Sequence, residues 1–318
     1  MGKPKRRVNP EVVCRVDRNL KLLTLGAAVK LVSKLPPPFY PCGRGRKPAD
    51  PRLITVLCLL MVSSNWTYDK YSAERSDPRI LKILGVSSLP SRSALHRGMQ
   101  KLPQDYLRKL NKKIVKRLIS RFGLSVIVDA TGFRLRTSSA WYDIRIKRKN
   151  KRKDNVKLHL AIDPNRNAVL NFKITPFNRG DSPQLAFLLK GIKHFTKLFA
   201  DSAYLSRKNC ELVAEKNGKP FIKIKSNTTK KPKGSQAWKD MVRFAIEEPE
   251  LFDKIYHLRS LVESVNSAIK RRYGSTIKAT KRRTKNNTLA LRVIAYNIKQ
   301  ILYDTTATKL GKPYWKPV

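Results

Sequence analysis

The chain changes its hydrophobic period near Leu124, and that change sets its architecture. Up to about residue 120, apolar positions recur at helical spacing; beyond Leu124 they fall into short β-branched or alternating runs separated by helical stretches. In the first part, residues 11–34 read as a helix ended by Pro36-Pro37-Pro38, and a loop rich in Pro, Gly and Arg continues to Pro48. Asp50 before Pro51 is a helix start, and residues 53–62 supply a buried helix. Shorter helices are expected at 68–74 and 78–84, the second stopped by Gly85, then at 92–102 after Ser91 and at 104–120. In the second part, 125–129, 157–162 and 168–175 read as strands, the last two joined by the turn Asp163-Pro164-Asn165. Gly180-Asp181-Ser182-Pro183 opens a helix over 184–193. A strand at 196–200, a helix at 206–217 and a strand at 220–225 come next, then a lysine-rich loop to Gly234. Helices at 238–246, 256–270 and 288–304 complete the pattern. This order specifies a mixed α/β domain behind an all-helical one. The expected division is 1–122 helical, 123–304 α/β and 305–318 a frayed tail.

Charge narrows the partner. Lys and Arg number 69 against 22 Asp and Glu, a formal charge of +47, which opposes compaction and calls for a polyanion. Nucleic acid fits better than a membrane: the longest apolar run, 53–62, is too short to span a bilayer. The basic start Lys3-Pro4-Lys5-Arg6-Arg7 leads into no apolar stretch of a secretory signal. Cys14, Cys42, Cys58 and Cys210 form no CxxC pair, so free thiols in a reducing cytoplasm are expected.

The stretch Y-H-L-R-S-L-V-E-S-V-N-S-A-I-K places Tyr256, Arg259, Glu263 and Lys270 at offsets of 0, 3, 7 and 14. At about 100° per residue these fall within roughly 60° of one another, so one acid shares a helical stripe with two cations and a phenol. Leu258, Leu261, Val262, Val265 and Ile269 lie mostly to one side and can pack. Taken alone, Arg259 and Glu263 are an ordinary i,i+4 ion pair. Two further acids change that reading. Asp129 and Asp201 are each the first polar residue after an apolar run, and ligands gather at such strand ends in α/β sheets. Three carboxylates converging from two strands and a helix repel one another unless a cation joins them. Divalent ions prefer oxygen donors, and two of them about 4 Å apart suit in-line phosphoryl displacement.

Asp129, Asp201 and Glu263, with the Y-x2-R-x3-E-x6-K pattern filled at all four positions, resemble the DDE transposases of bacterial and archaeal insertion sequences. Val128-Asp129-Ala130-Thr131-Gly132, Lys157-Leu158-His159-Leu160-Ala161-Ile162-Asp163, the segment from Thr175 to Ser182, and Ala200-Asp201-Ser202-Ala203-Tyr204 support the likeness. It covers roughly residues 126–303 and, more loosely, 45–102. Family members often carry Gly before that Tyr, where this chain has Ala203. The resemblance implies a ribonuclease H-like core and Mg²⁺ or Mn²⁺ as cofactor, with two ions. It also implies cleavage of inverted-repeat ends to expose 3′-hydroxyls and their joining to target DNA. Asp129, Asp201 and Glu263 would be the metal ligands, Arg259 and Lys270 would contact phosphates, and Tyr256 would position the end.

Residues 144–153 and 270–285 are basic runs that leave elements carrying or flanking a candidate acid. Arg145, Lys147, Arg148, Arg271 and Arg272 are therefore candidate phosphate contacts, with binding steeply salt-dependent. Residues 68–102 are read as a helix-turn-helix with Arg92, His96 and Arg97 on its last helix, or as braces for the core. The expected partner is double-stranded DNA, both element ends and target, with a homodimer in the complex and a location at the prokaryotic nucleoid. Two competing readings stay open: a basic nucleic-acid-binding protein without chemistry, and a nuclease of the same fold that cleaves without joining.

Overall fold

The computed structural model describes residues 7–40, 48–119, 123–135, 145, 155–228, 233–313 and 315–316. The chain begins with the short strand β1 (Arg7–Val8) and then forms helices. In α1 (Pro10–Arg18) the Asn9 side chain accepts from the Glu11 amide and Pro10 stands at the first turn. The expected single helix over 11–34 is two, because Asn19 leaves helical geometry before α2 (Leu20–Val32) begins. Asp50 caps α3 (Pro51–Ser63), whose residues from Ile54 to Val62 are all buried. Thr67 caps α4 (Tyr68–Ala73), and Asp77 caps α5 (Pro78–Leu84), which Gly85 ends in the left-handed conformation. Ser91 caps α6 (Arg92–Lys101), and α7 (Gln104–Leu118) follows.

The second part opens with β2 (Ser125–Leu135), which runs on past Asp129 because residues from Ala130 to Arg134 stay paired with β3 (Asn155–Asp163). Next come β4 (Ala168–Pro176) and α8 (Leu185–Leu188), a single turn where a longer helix was expected. The Asn171 amide donates to the carbonyls of Phe187 and Leu188 and so ties the end of this turn to β4. Then follow β5 (Lys197–Ala200), α9 (Arg207–Ala214), β6 (Lys219–Ile222), α10 (Gln236–Glu247) and α11 (Pro249–Tyr256). A 3₁₀ turn over His257–Ser260 leads into α12 (Leu261–Tyr273), and β7 (Thr276–Ile277) pairs with the far end of β2. The sheet has the order β4-β3-β2-β5-β6, with β2, β3 and β4 antiparallel and β2, β5 and β6 parallel. This is a mixed sheet with helices, the ribonuclease H-like arrangement expected from the sequence.

The last helix, α13 (Arg282–Lys309), is longer than expected at both ends. It closes with the α1 residues Val12 and Val16, together with Leu20, on Tyr303 and Ala307, an apolar cluster that orders the segment read as tail. Beyond it, β8 (Trp315–Lys316) pairs antiparallel with β1. The chain thus divides into two compact units, residues 1–118 with 281–318, and residues 119–280. The sequence reading placed 281–304 with the α/β part. Residues Leu289 to Ile298 are buried on every side, the signature of a central core helix, and α13 packs on α7, α3 and α2. Asn287, fully buried, donates to the carbonyls of Met99 and Leu102 and accepts from Gln104, so one amide joins α13 to the α6–α7 corner.

Gly98 marks the closest approach of α6 to α3, since a Cβ there would lie 2.5 Å from Cγ2 of Ile54. We expect Gly98→Ala to cost about 1–3 kcal/mol, measured by denaturant unfolding. Adding Ile54→Ala should return part of that loss, and two additive costs would contradict the packing assignment. A second test concerns His159 on β3, which has no exposed surface and meets the Thr175 hydroxyl at 2.8 Å. Burial pushes its imidazole down to about 4, against attraction from Asp181. The unfolded chain therefore binds more protons than the folded one between that value and the ordinary 6.5, and stability falls as pH drops through this window. Melting temperatures followed from pH 7 to 4 should fall less steeply in His159→Gln than in the parent.

Candidate active site

The parallel register of β2 and β5 ends at Val128 opposite Ala200. The next residue after each is an acid, and Asp201 is near enough for its charge to act on Asp129. Asp129 is nearly buried inside a continuing strand, not at a strand end. Asp201 does follow its strand directly, and its carboxylate accepts from the Ala203 amide to cap the turn Ser202–Tyr204. The Tyr204 ring beneath that turn is fully buried, and its hydroxyl lacks a partner among the described residues. Burial pushes the Asp129 carboxyl up, the charge of Asp201 adds to this, and the Arg259 guanidinium opposes it.

Glu263 lies in the first turn of α12 and is largely exposed. Arg259 ties it to the strand: Nη2 donates to Oδ1 of Asp129 at 3.1 Å and Nη1 to Oε1 of Glu263 at 3.0 Å. The i,i+4 pair expected from spacing is present, but the same guanidinium also bridges to the first acid. Burial opposes its charge, while Asp129, Tyr256 and Asp201 together hold it more firmly protonated than usual. Tyr256 stacks on Phe252 at 5.9 Å, and burial, with nearby Asp201 and Asp129 adding, pushes its phenol up to about 12. An open pocket beside it is lined by Asp253, Tyr256, His257, Arg259 and Ser260.

The signature residues do not lie on one continuous α-helix. Tyr256 ends α11, Arg259 sits in the 3₁₀ turn, and Glu263 and Lys270 belong to α12. The four-residue 3₁₀ turn offsets the stripe, yet Arg259 within it still reaches Glu263. Lys270 lies apart from the acids, its ammonium 5.5 Å from the centre of the Phe133 ring on β2. Arg271 and Arg272 are exposed on the last turn of α12, and Arg145 is exposed too. Lys147, Arg148, Trp141 and Tyr142 lie outside the described residues. In the helical unit, Arg92 pairs with Asp69 and His96 meets the Tyr68 ring edge-on at 5.3 Å, so both join α6 to α4, whereas Arg97 is exposed.

The Transposase DDE domain family matches residues 120–298, more than half of the chain. The chain belongs to that family. It is a DDE transposase, of the class that carries out DNA transposition and recombination. No curated protein matches it. Among solved structures, the piggyBac transposase synaptic complex with hairpin DNA aligns over 98% of this chain and 80% of its own, at 10% identity and a TM-score of 0.47, a likeness too low to add to the assignment. No described helix of the transposase is long and apolar enough to cross a membrane.

Among the described residues of the transposase, no three His, Cys, Asp or Glu side chains are gathered closely enough to hold a metal ion. Arg259 occupies the bridging position instead. The donor chemistry nevertheless suits a hard cation: the site offers carboxylate oxygens, and the place between two of them already holds a positive group. The residue that sequence reasoning missed is Asn266, whose amide donates to Oδ2 of Asp129 at 2.9 Å. Its signal was its position one helical turn after Glu263, on the same face of α12.

The ion pair of Asp129 with Arg259 is testable without DNA. A double-mutant cycle of Asp129→Asn and Arg259→Gln should return a coupling of about 1–3 kcal/mol in unfolding free energy. Strictly additive single effects would show that the two groups do not interact in solution.

Proposed function

We propose that this transposase is encoded by a prokaryotic insertion sequence, binds its inverted-repeat ends, cuts to expose 3′-hydroxyls and joins them to target DNA. The observation that carries the reading is the β2/β5 register ending at Val128 opposite Ala200, which makes Asp129 and Asp201 the next residues along the two neighbouring segments, with Glu263 linked to Asp129 through Arg259. Asp129, Asp201 and Glu263 would hold Mg²⁺ or Mn²⁺, as two ions. When bound, such ions make water more acidic and neutralise charge at the scissile phosphate.

The protein's own groups have separate tasks. Arg259 keeps the acids compatible in the free protein and turns to a DNA phosphate when an end arrives, since a bidentate guanidinium suits either anion. Tyr256, neutral with its raised phenol, packs against the end without repelling phosphate. Lys270, Arg271, Arg272, Arg145, Lys147 and Arg148 hold the backbone, and the helical region contributes Arg92 and Arg97 to recognition and supports dimerisation. A DNA partner accords with the +47 charge. Joining two ends calls for a homodimer, acting at the nucleoid in the cytoplasm.

The test is an assay of element-end DNA with Mg²⁺. Asp129→Ala, Asp201→Ala and Glu263→Ala should each reduce cleavage by on the order of 10³-fold or more while DNA binding persists. Lys270→Ala and Arg272→Ala should instead weaken binding and lower the salt slope by about one each. If all three acid variants cleave like the parent, the reading is wrong. Cleavage without strand transfer would leave a nuclease, and metal-independent binding without cleavage would leave a DNA-binding protein.

A further inference from the structure

Asp129 has two oxygens and two side-chain donors, and the donors differ in kind. Oδ1 takes Nη2 of Arg259, a charged group already shared with Glu263, while Oδ2 takes Nδ2 of Asn266, a neutral group. Asn266 lies on the buried face of α12 with Val262, Val265 and Ile269, where an apolar residue would pack without polar cost. Its Oδ1 is buried and has no partner among the described residues. The fold therefore carries an uncompensated polar atom there, and what that residue gains is its bond to the carboxylate.

The difference in charge matters for a cation. A guanidinium on Asp129 competes with any metal ion for the same oxygen, whereas an amide orients the carboxylate and leaves its negative charge available. We propose that Asn266 is a positioning residue for the transposase site, clamping Oδ2 of Asp129 so that Oδ1 is the oxygen presented to a divalent ion once Arg259 leaves it. This rests on the metal-site reading above. It also assigns the two oxygens separate duties: Oδ2 fixes the rotamer, and Oδ1 is exchanged between guanidinium and ligand.

The experiment uses Mn²⁺ alone with the full-length, DNA-free protein, reading free ion by electron paramagnetic resonance. Asn266→Leu, close in size and apolar, separates positioning from packing. It should keep or raise the melting temperature yet weaken Mn²⁺ binding about tenfold or more. Asn266→Gln, which keeps an amide donor, should recover most of the affinity. In end-DNA cleavage, the Mn²⁺ concentration for half-maximal rate should shift by the same factor in Asn266→Leu, with the rate at saturating Mn²⁺ restored. Asn266→Ala provides the same reading should the leucine variant fail to fold. Parent-like Mn²⁺ affinity in a folded Asn266→Leu or Asn266→Ala protein would overturn the proposal. So would equal weakening in the leucine and glutamine variants with a parallel fall in melting temperature, which marks a packing role. If the parent itself binds Mn²⁺ no better than Asp129→Ala does, the metal-site reading fails, a result distinct from either of these.

Discussion

The parallel pairing of β2 with β5 is the constraint on which the site depends. A slip of one residue would turn Asp129 to the opposite face of the sheet and separate it from Asp201. The register is held by side chains with no exposed surface: Val126, Ile127 and Val128 on one strand, Leu198, Phe199 and Ala200 on the other. Apolar burial thus forces two like charges into proximity, which neither acid would adopt alone. On the other edge of β2, its long pairing with β3 keeps Asp129 inside a continuous ladder and denies it the freedom of a loop.

Placing acids together creates an electrostatic problem that the free protein solves internally. Arg259 spans Asp129 and Glu263 from a 3₁₀ turn, a segment whose backbone is less committed than the α-helices on either side. Glu263 is mostly exposed while Asp129 is nearly buried, so the two ends of the bridge differ in strength. The solvated end is worth little by itself, whereas leaving the buried carboxylate without a partner would be costly. A group anchored firmly at one end and loosely at the other is well suited to exchange partners.

Much of this was legible in the residues. The shift of period near Leu124 and the strand order could be read from apolar spacing, Asp129 and Asp201 from their place as the first polar residue after a run, and Glu263 from the helical stripe and the family resemblance. Asp201 lies directly after β5 as the pattern implied. Asp129 does not end its strand, because Ala130, Thr131 and Gly132 are small enough to continue the ladder although they carry no β signal that periodicity detects. The stripe from Tyr256 to Lys270 is broken in the structure, with Lys270 apart from the acids, since a 100° rotation per residue cannot anticipate a 3₁₀ turn. Asn266 escaped because its place one turn after Glu263 gains meaning only once the strand residue it bonds, Asp129, is known to lie against the helix. The packing of α13 was hidden for a related reason: its contacts are with helices nearly two hundred residues earlier, beyond the reach of any local pattern.

That return of α13 has a consequence for the order in which the protein can be made. Residues 119–280 contain the whole of the sheet unit, whereas the helical unit needs residues 281–318 to complete its core. As the chain leaves the ribosome, α1 to α7 emerge first but lack the helix on which α7, α3 and α2 pack. The sheet unit, translated second, is the first to possess all of its parts. Synthesis and folding therefore run in opposite order along this chain, and the earliest helices must wait, with their apolar faces open, until the last helix is delivered.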